Sequence, residues 1–337
     1  MQRIGVALIG VGQASKAHAN GYISNSHVEI SYVIDTDLKK AQESANFYKS
    51  KYSTNVDDAL NDPKVKIVDI TTPHSTHYEL ARRALTAGKN VIMEKPMATN
   101  YQQCLDLIDL AKNKNAKFMI AENTRFVRLY QKIDDLLKEK IIGEVYNVFT
   151  LIEGSEVYRL MHNSWIGKKE HGGLILDAGV HTFYLYKWLF GGIKNIRTIV
   201  WNSLSKQEVE DNAIMVGTLE NGSHFVHRLS NTSEKPWTER IEIHGSKGVI
   251  FGDQLFNPPL RLYLGSETDR IQGGYTELYV NDVPYNASGW KSQSMVEEIE
   301  HFIDCVINDK QPLVDPVDTA YAVRIAEEAQ RNIIAQL

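Results

Sequence analysis

Short apolar runs alternate with amphipathic stretches over the first third of the chain. Ile4–Ile9 is apolar and ends at Gly10, as a strand buried on both faces requires. Val28–Ile34 is the second strand and stops at Asp35; Ile67–Thr71, Val91–Glu94 and Phe118–Ala121 are further strand runs. Helical spacing fills the gaps: a stretch reaching Asn25, then Leu38–Lys51, a turn at Asp57–Leu60, Ser75–Ala87 with Gly88 as its C-cap, and Tyr101–Asn113. Strands separated by helices of this length predict βαβ units and a parallel sheet.

Near Asn123 the pattern changes. Leu129–Lys140 is a predicted helix stopped by Gly143, and Val145–Glu153 a longer strand. Gly173–Phe190 is one predicted helix, capped by Gly191-Gly192. Strands then dominate: Ile196–Trp201, Ala213–Leu219 and His224–Leu229, the last two joined by an Asn-Gly hairpin turn at Asn221-Gly222. Arg240–His244 and Gly248–Phe251 flank a second tight turn, and Leu260–Leu264 adds an edge. Helices Ser294–Asn308 and Val317–Gln336 close the chain. The expected architecture is α/β: an N-terminal parallel-sheet domain over residues 1–122, then a domain over 123–337 with a mainly antiparallel sheet and helices.

Composition narrows the function. The 337 residues are 43% hydrophobic and 23% charged, ordinary for a globular chain and unlike a disordered one. A formal charge of −5 lacks the basic surplus of a nucleic-acid binder. Cys104 and Cys305 cannot build a disulfide framework, which fits a reducing compartment. Met1-Gln2-Arg3 leads straight into strand pattern rather than a secretion signal, and no run is long enough to span a bilayer, so a cytoplasmic location without membrane partners is expected.

Gly10-Val11-Gly12-Gln13-Ala14-Ser15 lies between a strand and a helix. There the first glycine permits a tight turn, and the second lets a pyrophosphate approach a positive helix N-terminus. The third fingerprint position is Ser15, small but not glycine, and alone the loop fits a plain strand–helix turn equally well. Asp35, 25 residues beyond Gly10, ends the second strand, where a carboxylate can accept ribose hydroxyls and repel a 2′-phosphate. Loop, helix and acid together point to a dinucleotide, NAD in preference to NADP. Thr71-Thr72-Pro73 ends another parallel strand at the same sheet edge and is expected to line the cofactor cleft. Lys95, ahead of Pro96, also sits where a doubly wound sheet opens on its ligand, although a surface ion pair explains a lysine there as well. Asp177 and His181, four apart on an apolar helix, share one face and read either as a structural core pair or as cleft residues.

Gly10-Val11-Gly12 with His18, Val68-Asp69-Ile70-Thr71-Thr72-Pro73 with His77, Ala87-Gly88-Lys89-Asn90-Val91 running into Glu94-Lys95-Pro96, and Gly172-Gly173-Leu174-Ile175-Leu176-Asp177-Ala178-Gly179-Val180-His181 resemble the glucose–fructose oxidoreductase / inositol 2-dehydrogenase (Gfo/Idh/MocA) family. The likeness covers most of the chain, with the later strands matching only in outline. It implies an N-terminal Rossmann dinucleotide-binding domain over residues 1–122, a C-terminal α/β domain over 123–337 with an open, mainly antiparallel sheet, and NAD(P)-dependent oxidation or reduction of a sugar, cyclitol or related polyol. It also implies Lys95, Asp177 and His181 as the catalytic residues, with His181 as general base, Lys95 steadying the developing alkoxide, and Asp177 holding a substrate hydroxyl or orienting the base. On this reading the ammonium and the imidazole belong beside one nicotinamide. The cofactor set is then Gly10, Gly12, Gln13, Ala14, Asp35, Thr71, Thr72, Pro73, His77, Glu94, Lys95 and Asn123. Arg125, Tyr158, Asn163 and Trp165 join the catalytic three as substrate contacts. Ile166 stands where relatives commonly carry arginine after that tryptophan. No metal is expected; His74, His77 and His162 could supply zinc ligands only by arithmetic. Two alternatives share the fold: an NAD-dependent glycosidase working by transient oxidation, and a non-catalytic NAD(P)/sugar sensor. A homodimer or homotetramer is expected, because an open sheet with helices on one face leaves the other uncovered.

Overall fold

The computed structural model describes residues 3–155, 165–203, 208–234, 236–265, 274–280, 283 and 290–336. In chain order they form β1 (Ile4–Ile9), α1 (Gln13–Ile23), β2 (Val28–Ile34), α2 (Leu38–Tyr48), β3 (Lys51–Ser53), α3 (Asp57–Leu60), β4 (Val65–Ile70), α4 (His77–Thr86), β5 (Asn90–Glu94), α5 (Tyr101–Asn113) and β6 (Phe118–Ala121). There follow α6 (Arg128–Lys138), β7 (Val145–Glu153), α7 (Gly173–Asp177), α8 (Gly179–Phe190), β8 (Ile193–Trp201), β9 (Asn212–Leu219), β10 (His224–Ser230), β11 (Thr238–Gly245), β12 (Gly248–Asp253), β13 (Leu260–Leu264) and β14 (Thr276–Tyr279). The last elements are α9 (Trp290–Ile307), α10 (Pro316–Arg331) and β15 (Ile333–Gln336). Packing divides the chain into one unit of residues 1–126 with 291–323, and a second of 127–290 with 324–337. A single cut after residue 122 would leave 291–323 with the C-terminal part, whereas that segment packs with the first unit.

In the first unit six parallel strands run in the order β3-β2-β1-β4-β5-β6, the doubly wound arrangement whose strand order reverses beside β1. Val6, Ala7, Leu8, Ile67, Val68, Val91 and Ile92 are wholly buried, as the apolar runs require. Helix α2 stops at Tyr48 because Lys49 turns left-handed (φ +56°), and Lys51 already begins the edge strand β3, so the predicted helix to Lys51 is too long.

In the second unit nine strands run β14-β13-β12-β11-β7-β10-β9-β8-β15. Six of the eight pairings are antiparallel; β10 with β7 and β15 with β8 are parallel. Both expected hairpins form. The segment predicted as helix to Gln336 ends at Arg331, and Ile333–Gln336 pairs with β8 at the sheet edge instead. Beneath the sheet, His227 Nδ1 lies 2.9 Å from Thr150 Oγ1, itself 2.6 Å from Tyr186 Oη, in a fully buried chain. Burial holds the His227 imidazole down to about 3, so the ring is neutral in the fold.

Candidate active site

The end of β1 sits at the reversal of strand order. Gly10 (φ +90°) donates its N–H to Ile34 O at 2.7 Å, and its carbonyl accepts Thr71 Oγ1 at 2.8 Å. A Cβ on Gly10 would come 2.8 Å from Thr71 O, so conformation and space both demand glycine. Gly12 is the N-cap of α1, whose first turn has no side-chain cap. A Cβ there would meet nothing within 4 Å. Gly12 and Gln13 are exposed and Ala14 half-exposed, so this helix start is open to an incoming anion. Asp35 faces the same loop: Oδ2 accepts Val11 N–H and Oδ1 accepts Asp37 N–H, both at 2.9 Å. A carboxylate offers about four acceptor positions, so about two stay available to ribose hydroxyls. The loop therefore fits a dinucleotide on its own geometry: a tight turn, a clear approach and an anchored acid.

Thr71 and Thr72 follow β4, and Pro73 leads into a 3₁₀ turn, His74–Thr76. His77, wholly buried, ties two such turns together. Its Nε2 lies 2.8 Å from Thr72 O and its Nδ1 2.7 Å from Pro96 O. Burial pushes the imidazole below its ordinary pKa against the pull of these two carbonyls, so the neutral ring donates to one of them. Glu94 ends β5, and its Oε2 accepts the N–H of Lys95 at 3.1 Å. Lys95 is half-exposed. Asn123 and Arg125 lie in the 3₁₀ turn after β6, with Asn123 Nδ2 donating to Ser294 Oγ at 3.0 Å. Every expected cofactor residue thus lies in the first unit, on the strand-end turns and on the helix starts beside them.

Asp177 and His181 lie in the second unit. The predicted single helix is two: α7 ends at Asp177, Ala178 breaks the run, and α8 starts at Gly179. Glu210 Oε1 accepts Ile175 N–H at 3.0 Å in the first turn of α7 and anchors it. Leu174, Ile175, Leu176, Ala178, Val180, Thr182 and Phe183 are all buried, yet Asp177 and His181 are half-exposed. They are partly open polar positions in a largely apolar helix pair. Trp165 sits in a short 3₁₀ turn with its ring edge-on to His171, centroids 5.2 Å apart. Tyr158, Asn163 and His162 fall outside the described residues.

One polar cluster escaped the sequence reading. His18, on α1, places Nδ1 3.0 Å from both oxygens of Asp69 on β4, and Tyr22 Oη donates to Asp69 Oδ2 at 3.0 Å. His18 Nε2 lies 3.3 Å from Glu94 Oε1, an ion pair rather than a hydrogen bond. Glu298, on α9, is wholly buried beside them, and neither of its oxygens has a hydrogen-bond partner among the described residues. Asp69 was visible as an acid inside an apolar strand; nothing local marked Glu298.

Comparison with known proteins agrees with this geometry. Residues 4–122 match the family model described as "Oxidoreductase family, NAD-binding Rossmann fold", and residues 134–333 that described as "Oxidoreductase family, C-terminal alpha/beta domain". Among relatives, an uncharacterized oxidoreductase of Synechocystis sp. is 29% identical over 74% of this chain and 72% of its own. An inositol 2-dehydrogenase of Rhizobium meliloti is 23% identical over 97% of this chain and 96% of its own. The fold also matches levoglucosan dehydrogenase in complex with NADH and levoglucosan, with a TM-score of 0.86 and 20% identity over 98% of each chain. The chain belongs to the Gfo/Idh/MocA family and is an NAD-binding oxidoreductase.

Proposed function

We propose that the protein transfers a hydride between NAD and a carbinol carbon of a sugar, cyclitol or related polyol. The observation that carries this is the cradle at β1: a left-handed Gly10, open space over Gly12 and an amide-anchored Asp35. The half-exposure of Lys95, Asp177 and His181 supports their assignment to the chemistry, since each side chain is partly accessible. The names of the inositol and levoglucosan dehydrogenases support the substrate class.

When bound, the nicotinamide supplies the hydride acceptor. A ring nitrogen of His181 takes the hydroxyl proton during oxidation and returns it during reduction. Lys95 Nζ donates to the reacting oxygen and stabilises the charge that develops there. Asp177 accepts a substrate hydroxyl or orients the imidazole. Arg125 and Trp165, with Tyr158 and Asn163, contact the remainder of the sugar. The two thiols, free and buried, support a reducing compartment.

We also assign a homo-oligomer through the second unit's sheet. Phe149, Val226 and Val216 are exposed and stand in register across β7, β10 and β9, forming an apolar row. A monomeric mass by light scattering at micromolar concentration would refute it.

The decisive experiment presents aldoses, ketoses, inositols and uronic acids with NAD and with NADP, and follows reduced cofactor. Stoichiometric NADH with a free polyol is expected, and Lys95→Ala should lose at least about 10²-fold in turnover while still binding NADH. Cleavage of a glycosidic bond at constant NADH would replace this reading with the glycosidase, and turnover unchanged in Lys95→Ala would remove Lys95 from it.

A further inference from the structure

We propose that His18 is a buried cation that holds Glu94 in place and, through Glu94, positions the Lys95 turn, with Asp69 as its counter-charge and Glu298 as a neutral acid beside it. The functional consequence rests on the assignment of Lys95 above; the network itself does not. The contacts form one continuous path inside the first unit. Tyr22 Oη and His18 Nδ1 meet Asp69 at 3.0 Å, His18 Nε2 meets Glu94 Oε1 at 3.3 Å, and Glu94 Oε2 accepts the Lys95 N–H at 3.1 Å. His18 thus links α1, the helix that starts at the glycine loop, to the ends of β4 and β5.

Two carboxylates at opposite ends of one imidazole decide its charge. A neutral ring has one N–H and would turn a lone pair toward the other acid; only the imidazolium presents a proton to both. His18 and Asp69 are completely buried, so neither charge is screened by water. Burial alone would discharge His18, but the Asp69 charge and hydrogen bond, together with the attraction of Glu94, outweigh it and lift the imidazole well above its ordinary range. Glu298 faces the group from α9, where α1 approaches so closely that a Cβ on Gly21 would lie 2.7 Å from Ile299 Cβ. With no donor to either oxygen among the described residues, an ionised Glu298 would carry a large desolvation cost. Burial holds the proton on it against the attraction of His18, and Glu94, Glu122 and Asp69 add repulsion. His18 therefore serves as a positioning residue: it neutralises and orients the acid that grips the Lys95 backbone.

The first test needs no variant and no substrate. In the intact protein, the ¹⁵N resonances of the His18 ring should be those of an imidazolium at a pH above the ordinary imidazole range of about 6.5. A neutral ring at pH 7 would overturn the proposal. The second is amide exchange in His18→Gln, whose uncharged amide lacks the imidazolium's two separated N–H donors. The Lys95 N–H should lose at least about tenfold of its protection while amides of β1 and β2 keep theirs. Parallel loss at all sites, or unchanged protection of Lys95, would overturn it. Glu298→Gln, a neutral isostere, should keep the wild-type melting temperature; marked destabilisation would mean that Glu298 is ionised and would remove it from the network as drawn. Turnover in His18→Gln should fall about 10²-fold with NADH affinity within threefold of wild type. Selective loss of Lys95 protection with unchanged turnover would leave the network standing and take Lys95 out of the chemistry.

Discussion

Replacing Asp35 by alanine should reverse the cofactor preference rather than merely weaken binding. Asp35 uses one acceptor position on Val11 N–H and another on Asp37 N–H. About two positions remain for the adenosine ribose, and hydrogen bonds to a charged acceptor contribute about 1.5–3 kcal/mol each. Taking the lower figure, NADH loses about 3 kcal/mol, or about 10²-fold in affinity. Asp35→Ala also frees the Val11 amide, which loosens the glycine loop, but that loss falls equally on both cofactors and cancels in their ratio. NADPH meanwhile escapes repulsion between the carboxylate and a doubly charged 2′-phosphate. For partly hydrated groups about 4 Å apart this is at least about 2 kcal/mol. The NADPH-to-NADH affinity ratio should therefore rise on the order of 10³-fold. Lys39 and Lys40, exposed on the first turn of α2, stand ready to meet the phosphate. Fluorescence titration of both reduced cofactors against wild type and Asp35→Ala measures the ratio directly. Equal weakening of the two would mean that Asp35 serves only to brace the loop.

The neighbouring glycines should separate stability from binding. Gly10→Ala combines a left-handed backbone with a 2.8 Å approach to Thr71 O and should cost about 3 kcal/mol, read as a lowered melting temperature. Gly12→Val has no protein atom within 4 Å of its new Cβ, so the melting temperature should drop little while NADH binding is lost; unchanged binding would place the pyrophosphate elsewhere. His227 makes the second unit acid-sensitive, with a sign that follows from its neutral buried ring. Its contribution is complete above the unfolded value of 6.5 and is lost as pH falls from there toward about 3, by up to about 1.4 kcal/mol per pH unit. Urea midpoints at pH 7.5, 6 and 5 should fall more steeply for wild type than for His227→Gln, and equal slopes would refute the assignment.

The parts of this molecule that could be read from sequence are those in which one residue type answers to one backbone demand. A run buried on both faces is largely apolar, and β1, β5 and β6 could be located by that demand, β2 and β4 by their apolar runs around a few polar positions. The turn at Gly10 excludes a side chain, and an acid ending β2 faces the loop whatever its neighbours are. Elements that depend on distant partners left no such mark. Lys51–Ser53 and Thr276–Tyr279 are short edge strands with little buried side chain, and Ile333–Gln336 continues a helical pattern until β8 offers it a pairing edge. The break at Ala178 carries no proline or polar stop; Gly179, whose position Phe183 crowds, is its only local sign.

The buried acids show the limit most sharply. Asp69 betrays itself because both neighbours in β4 are apolar and an interior strand has no wet face for a carboxylate. Glu297 and Glu298 are adjacent on an amphipathic helix, one exposed and one wholly buried, and helical period alone cannot distinguish a boundary position on the wet face from one turned inward. What decides is a histidine 280 residues earlier in the chain, whose charge is itself set by Asp69 and Glu94. Protonation in such a cluster belongs to the group and not to any member, so no single residue's neighbours in sequence could have disclosed it.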